Sequence, residues 1–153
     1  MDKTDNMLKK NAQDVDFSTL DSLFGFRLRR AQIKLFQHFR TALADFDITP
    51  GQAGLLILVR DNPGISQSDL ARAVHIERAT LGQTVDVLVR RGLILRARNN
   101  TDKRAYALRL TETGADFVTR LIPAIRGHEA EIGAALDEND YRKLHELLTK
   151  FLH

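Results

Sequence analysis

Apolar residues recur through the first third of the chain at steps of three and four: Leu20, Phe24, Leu28, Ala31, Leu35, Phe39, Ala42 and Phe46. That period draws one apolar stripe along a helix and predicts a single long helix from Leu20 to Phe46. The segment "DFDITPGQ" ends it. Thr49 is placed to cap the next helix, Pro50 suits its first position and Gln52 completes a capping box. This second helix runs through "AGLLILVR" to the turn signal "DNPG". Ser66, with Asp69 three residues on, opens a short helix in the same way, and His75 and Ile76 form a tight connection. "RATLGQTVDVLVRRG" is a further helix, which Gly92 ends. There the period drops from 3.6 to 2: "LILRAR" and "RAYALRL" alternate around the polar tip "NNTDK", with Tyr106, Leu108 and Leu110 on one face, as in a hairpin. Thr111 starts a helix bearing Phe117, Val118, Leu121, Ile122, Ile125, Ile132 and Leu136. Asp137 or Asn139 caps a last one bearing Tyr141, Leu144, Leu148 and Phe151.

Two short helices joined by a tight turn and followed by a β-hairpin make a winged helix-turn-helix. The expected fold is therefore mainly α, with a two-stranded wing. The apolar stripes at both chain ends call for a second copy, so residues 17–47 and 112–153 are expected to form a homodimerisation domain. Residues 48–111 are the DNA-binding domain, and residues 1–16 a flexible N-terminal segment.

Charge sharpens this picture. The chain has a net charge of +3, but residues 78–109 hold eight Lys or Arg and two Asp or Glu, a net of +6 against −3 elsewhere. A basic block on a mildly acidic chain is the footprint of a polyanion partner. In the helix from Arg78, the residues Leu81, Val85 and Leu88 face inward, so Ala79, Thr80, Gln83, Val87 and Arg90 point outward. Thr and Gln hydrogen-bond base edges, and Ala or Val touches a thymine methyl. Arg78, at the N-terminal end, suits phosphate or guanine. Asp86 leans outward and is expected to pair with Arg90, four residues on. Arg96, Arg98, Lys103 and Arg104 surround the wing tip, where a basic loop follows the backbone or enters the minor groove. Ser66 and Ser68 stand where a helix N-terminus meets phosphate, although capping is an equally open role for Ser66.

Other classes are poorly supported. There is no cysteine, hence no disulfide, thiolate metal site or thiol nucleophile. No phosphate-cradling glycine motif or nucleophile–base spacing occurs, so no enzyme, catalytic residue or cofactor is expected. The five histidines are scattered singly. His128 and Glu131 have the spacing of a helical metal pair, but two ligands are not a site and none is assigned. A metal-responsive regulator and a winged-helix protein-interaction module remain the alternatives. No apolar run is long enough for a membrane span and the start lacks a signal-peptide core, which points to a soluble, cytoplasmic protein.

The segment "IERATLGQTVDVLVRRGLILRARNNTDKRAYALRLTETG" resembles the core of the MarR (multiple antibiotic resistance regulator) family. Leu88, Arg90, Arg91, Gly92, Leu93, Arg96, Asp102, Arg104, Leu110, Thr111 and Gly114 carry the resemblance. It implies a dimeric winged-helix regulator, a repressor in most readings, bound to a pseudo-palindromic operator. Arg104 would enter the minor groove and Asp102 would orient it. Gly82, Gln83 and Val89 depart from the family pattern and leave the base sequence open.

The resemblance also implies a small-molecule effector, often an aromatic acid. The opening helix offers chemistry for one. Arg27, Arg30, Lys34 and His38 fall within about 80° of one another at roughly 100° per residue, along one edge of the stripe. Phe26, Ile33 and Phe36 form a second apolar patch, so this helix is expected to be buried on two sides. Cations beside aromatic residues suit a hydrophobic body with an anionic group, such as an aromatic acid or its acyl-CoA thioester. The stretch resembles the branch of the family serving aromatic-acid catabolism. The competing role for the same cations is to pair with acids of the partner chain or to lie along the interface.

Overall fold

The computed structural model describes residues 15–98 and 106–152, without the side chains of Arg98 and Tyr106. The expected flexible segment up to residue 14 and the wing tip, with Asp102, Lys103 and Arg104, lie outside the described residues. The chain divides into two compact units, one up to Phe36 and the other from Gln37 onward.

In the first unit the predicted continuous helix is broken. A single turn, α1 (Ser18–Asp21), precedes α2 (Phe24–Ala42), and Ser22 and Leu23 separate them. The Ser22 hydroxyl donates to the Thr19 carbonyl at 2.6 Å, and the Leu23 amide closes a tight turn on Leu20. The Asp21 carbonyl accepts from the Arg27 guanidinium instead of continuing the helical ladder. Side-chain hydrogen bonds thus supply the partners that a regular helix would take from its own backbone. Periodicity registers the apolar face and not such a break, since the stripe stays in phase across it.

At its other end α2, now within the second unit, stops at Ala42. A 3₁₀ turn (Ala44–Phe46) and Asp47 in the left-handed region (φ 45°) redirect the chain. The Thr49 capping box is formed as predicted: Thr49 Oγ1 accepts from the Gln52 amide at 3.3 Å, and the Gln52 side chain accepts from the Thr49 amide at 3.1 Å. It opens α3 (Pro50–Asp61). Ser66 then caps α4 (Gln67–Ala73), and His75, at φ 53°, makes the tight connection to α5 (Arg78–Arg90). Strands β1 (Ile94–Arg98) and β2 (Tyr106–Leu110) pair antiparallel, with Arg96 opposite Leu108. Then come α6 (Glu112–Gly133) and α7 (Glu138–Leu152). Leu136 falls beyond the end of α6, in a turn closed by its amide on the Gly133 carbonyl. Asp137, rather than Asn139, is the cap of α7, accepting from the Asp140 amide at 2.8 Å.

The second unit holds a connected core. Leu43, Leu56, Val59, Leu70, Val85, Leu88, Ile94, Leu108, Val118 and Leu121 are fully buried. Helix α3 packs on α5, α6 and β2, while α4 packs on α5 and β2. Two glycines fix the corner between reading helix and wing. Gly92, at φ 69°, ends α5 in a conformation that disfavours a side chain. At Gly114 any Cβ would collide with the Leu93 carbonyl oxygen, so α6 starts directly against the strand that follows Gly92. Thr111 ties the same corner by accepting from the Gly114 amide at 2.9 Å and donating to the Gly92 carbonyl at 2.6 Å.

The expected burial of α2 on two sides is not met within one chain. Leu20, Phe24 and Leu28 of the stripe and Ile33 and Phe36 of the second patch are exposed, whereas Phe39 and Leu43, in the second unit, are buried. In α7, Leu144, Leu147, Phe151 and Leu152 are exposed as well.

Candidate nucleic-acid interface and effector recess

The reading face is built on α5. Leu81, Val85 and Leu88 anchor the helix at 0–4% exposure, Ala79, Thr80, Gln83 and Arg90 are presented to solvent away from them, and Arg78 is exposed at the helix's first position. Val87 is only half-buried, and it lines a recess of about 400 Å³ with Arg40, Asp47, Gln52 and Arg91. A Cβ at Gly82 would sit 3.1 Å from the Gln67 side-chain nitrogen Nε2, the movable end of a side chain on α4.

Asp86 and Arg96 differ from the roles expected of them, and Ser66 takes the capping role, one of the two open to it. Asp86 does not pair with Arg90. Strand β1 returns beside α5 after the Gly92 turn and brings Arg96 to 2.6 Å from the Asp86 carboxylate. The Arg96 guanidinium, counted among DNA contacts, is therefore held by an acid, while Arg90 stays exposed. Ser66 is occupied as a cap: its Oγ accepts from the Asp69 amide at 3.0 Å and donates to the Asp69 carboxylate at 2.7 Å. Its proton is not free for a phosphate in this arrangement, and Ser68 on α4 is half-buried.

Arg91 is a structural residue that the outward-facing wheel passed over. It donates to the carbonyls of Asp47 at 2.6 Å and Phe46 at 3.1 Å and lies over the Phe117 ring at 5.7 Å, so it clasps the end of α5 to the turn before α3. Its neighbour Arg90 carries the exposed charge. The adjacent basic pair thus splits into one clasp and one solvent-facing cation, which a count of charges does not distinguish.

The four basic side chains proposed for an effector do not form one group. Arg27, Arg30 and Lys34 line an open recess of about 400 Å³ with Asp21 and Ala31, in the first unit. Arg30 is pinned there: it meets the Asp21 carboxylate at 2.8 Å and lies over the rings of Phe17 and Phe26, at 5.5 and 5.9 Å, which stack on each other. Among the described residues Lys34 has no ion-pair partner, so it is the cation with most freedom to meet an anion.

His38 belongs elsewhere, in the second unit. Its Nδ1 lies 2.7 Å from Nδ1 of His128, which is buried on α6 with the Phe39 ring edge-on to it. Glu131 stands 3.5 Å from the other His38 nitrogen. One Nδ1–H donates to the other Nδ1, the tautomers setting the direction, and the buried ring thereby has a polar partner. The metal spacing of His128 and Glu131 is used differently: both groups address His38, from different ring nitrogens. Among the described residues no three His, Asp or Glu side chains are placed to hold a metal ion. No described helix is long and apolar enough to cross a membrane.

Known proteins agree with this geometry. A model of the MarR family matches residues 46–105, which span α3 to the wing. A putative transcriptional regulatory protein for the hcr operon of Thauera aromatica is 36% identical over 127 residues, covering 82% of this chain and 76% of that protein. The transcriptional repressor CouR bound to a 23-mer DNA duplex superposes with a TM-score of 0.86 at 29% identity, covering 91% of this chain and 99% of CouR. CouR bound to p-coumaroyl-CoA gives 0.84 at 28% identity, covering 91% and 98%. The PcaV regulator of Streptomyces coelicolor, in complex with its natural ligand, gives 0.80 at 27% identity, covering 90% and 95%. With its winged helix-turn-helix, and with 36% identity to a regulatory protein across 82% of its length, this chain belongs to the MarR family of transcriptional regulators, which are not enzymes.

Proposed function

We propose that this protein is a ligand-responsive repressor that binds a pseudo-palindromic operator as a homodimer and is released by an anionic aromatic effector or its acyl-CoA thioester. The observation that carries the DNA-binding part is the two-sidedness of α5. One side is locked into the core by Leu81, Val85 and Leu88, the other offers Ala79, Thr80, Gln83 and Arg90 to solvent, and Arg78 is exposed at the N-terminal end. A helix held this way presents a fixed row of donors and methyl groups to the major groove. Arg98, Lys103 and Arg104 of the wing add phosphate or minor-groove contacts, with Asp102 orienting Arg104. Residues 48–111 are the DNA-binding domain in this reading, and residues 17–47 and 112–153 the dimerisation helices. The exposed rows Leu20, Phe24, Leu28 and Leu144, Leu147, Phe151 are the apolar surface that a second copy covers.

The effector reading rests on two supports. Solved structures of similar proteins hold CouR bound to p-coumaroyl-CoA and PcaV in complex with its natural ligand. In this chain the Arg27–Arg30–Lys34 recess sets cations beside the Phe17 and Phe26 rings. Release follows from linkage: an effector that favours a dimer with mis-spaced reading helices lowers operator affinity, and operator lowers effector affinity by the same factor. The test is fluorescence anisotropy on a duplex selected from random sequence, titrated with p-coumaroyl-CoA, p-coumarate and CoA alone. Lys34→Ala is expected to keep DNA affinity and to lose release by the aromatic thioester. DNA binding that falls with Lys34→Ala would place this cation at the operator and remove the effector reading.

A further inference from the structure

We infer that Arg96 is a positioning residue and not a phosphate contact: with Asp86 it braces the β1 edge of the wing against the reading helix. This rests on the DNA-binding reading above. Asp86 lies roughly 140° around α5 from the buried row, at about 100° per residue, on the side turned to DNA. A bare carboxylate there would repel phosphates. Arg96 Nη2 meets it at 2.6 Å, and the two side chains are 30% and 48% exposed. Each charge therefore cancels the other, and neither is free to answer a phosphate.

The placement of the pair explains what it does. At the base of the hairpin, backbone and Thr111 bonds fix the corner: the Leu93 amide donates to Leu88, the Thr111 amide donates to Leu93, and the Thr111 hydroxyl donates to Gly92. The β2 edge is held further out, where Leu108 exchanges hydrogen bonds with Gly64 and Ile65 and Ala107 bridges to Ser66. Arg96 sits opposite Leu108 in the register, so its bond to Asp86 ties the β1 edge at the same height. It is the only ion pair between hairpin and α5 among the described residues. A half-exposed ion pair adds little to global stability. Its effect lies in direction, because both wing edges are then held relative to the reading helix and the two DNA contacts keep their spacing.

The experiment is operator binding by the full-length protein across a salt series, with hydroxyl-radical footprinting of the complexes. The variants are Arg96→Gln, Asp86→Ala and the reversed pair Asp86→Arg with Arg96→Asp. Arg90→Gln is the reference for a lost phosphate contact, which flattens the slope of log affinity against log salt by about 0.9. For a brace, Arg96→Gln weakens binding roughly tenfold at an unchanged slope, and its footprint loses protection at the flanks of the site but not at its centre. Asp86→Ala also weakens binding, although an acid has left the DNA-facing side. The reversed pair recovers affinity to within about threefold of the parent, as two charges still meet. A slope flattened by Arg96→Gln as much as by Arg90→Gln, tighter binding by Asp86→Ala, or a reversed pair weaker than either single variant overturns the brace. Thermal melts matching the parent keep misfolding out of these comparisons. A parent protein that binds no duplex overturns the DNA-binding reading itself.

Discussion

Helices α5 and α2 are both basic and both carry an apolar row, yet the structure treats the rows oppositely. On α5, Leu81, Val85 and Leu88 are almost wholly buried within the chain. On the first half of α2, Phe24 and Leu28 remain 61% and 37% exposed. The first helix has completed its packing and can devote its outer face to a partner. The second leaves its apolar face exposed, the surface that the proposed dimer would cover, and its cations lie beside that face. Amphipathicity is the same signal in both; what the row packs against decides the role.

Substitutions in the two rows test this difference most strongly. Leu88→Ala is expected to cost about 2–5 kcal/mol of unfolding free energy in urea titrations, independent of protein concentration, because the cavity lies inside one chain. Leu28→Asp is expected to leave the core intact and to weaken self-association by about tenfold to a hundredfold, read by analytical ultracentrifugation, because an unpaired carboxylate would be buried between copies. If Leu28→Asp unfolds the protein at every concentration, the two rows are not different in kind. Gln83→Ala, on the outer face of α5, should cost about 1–2 kcal/mol of operator affinity and relax preference at one base pair, while non-specific binding is unchanged. The smallest effect concerns the end of α2 that lies in the second unit. A double-mutant cycle of His38→Ala and His128→Ala should show a coupling of about 1 kcal/mol, the net value of one hydrogen bond. A cycle with no coupling would mean that this end of α2 is held by Phe39 and Leu43 alone.

Much of the fold is legible residue by residue. Thr49, Ser66 and Thr111 announce helix starts because a hydroxyl in the right place satisfies an orphan amide, and all three accept the amide expected of them. Gly92 announces the end of α5 because its left-handed conformation suits a residue without a Cβ. The break at Ser22 and Leu23 is not legible, since the Asp21 carbonyl that leaves the helical ladder takes its partner from Arg27, six residues away. Gly114 stands in the family motif because a side chain there would meet the Leu93 carbonyl, a contact between elements that no local pattern shows.

For the candidate site the division follows the same physics. The outward row of α5 can be read from a helical wheel because its period is local. The partners of Asp86, Arg91 and His128 cannot, because each lies on another element: Arg96 ten residues on, the Asp47 carbonyl forty-four residues back and His38 ninety residues back.

The sequence by itself determined the order and phase of the elements, the winged helix-turn-helix class, and which face of α5 is free. These depend on hydrogen bonds and side-chain periods within a few residues of one another. Only the tertiary structure decided which of the charged residues are free to act. A guanidinium or carboxylate reaches several ångströms from its backbone, so its partner is whichever element the fold brings alongside. By that measure Arg90 is exposed while Arg91 and Arg96 are engaged, and Lys34 is open while Arg30 is held between two rings and an acid.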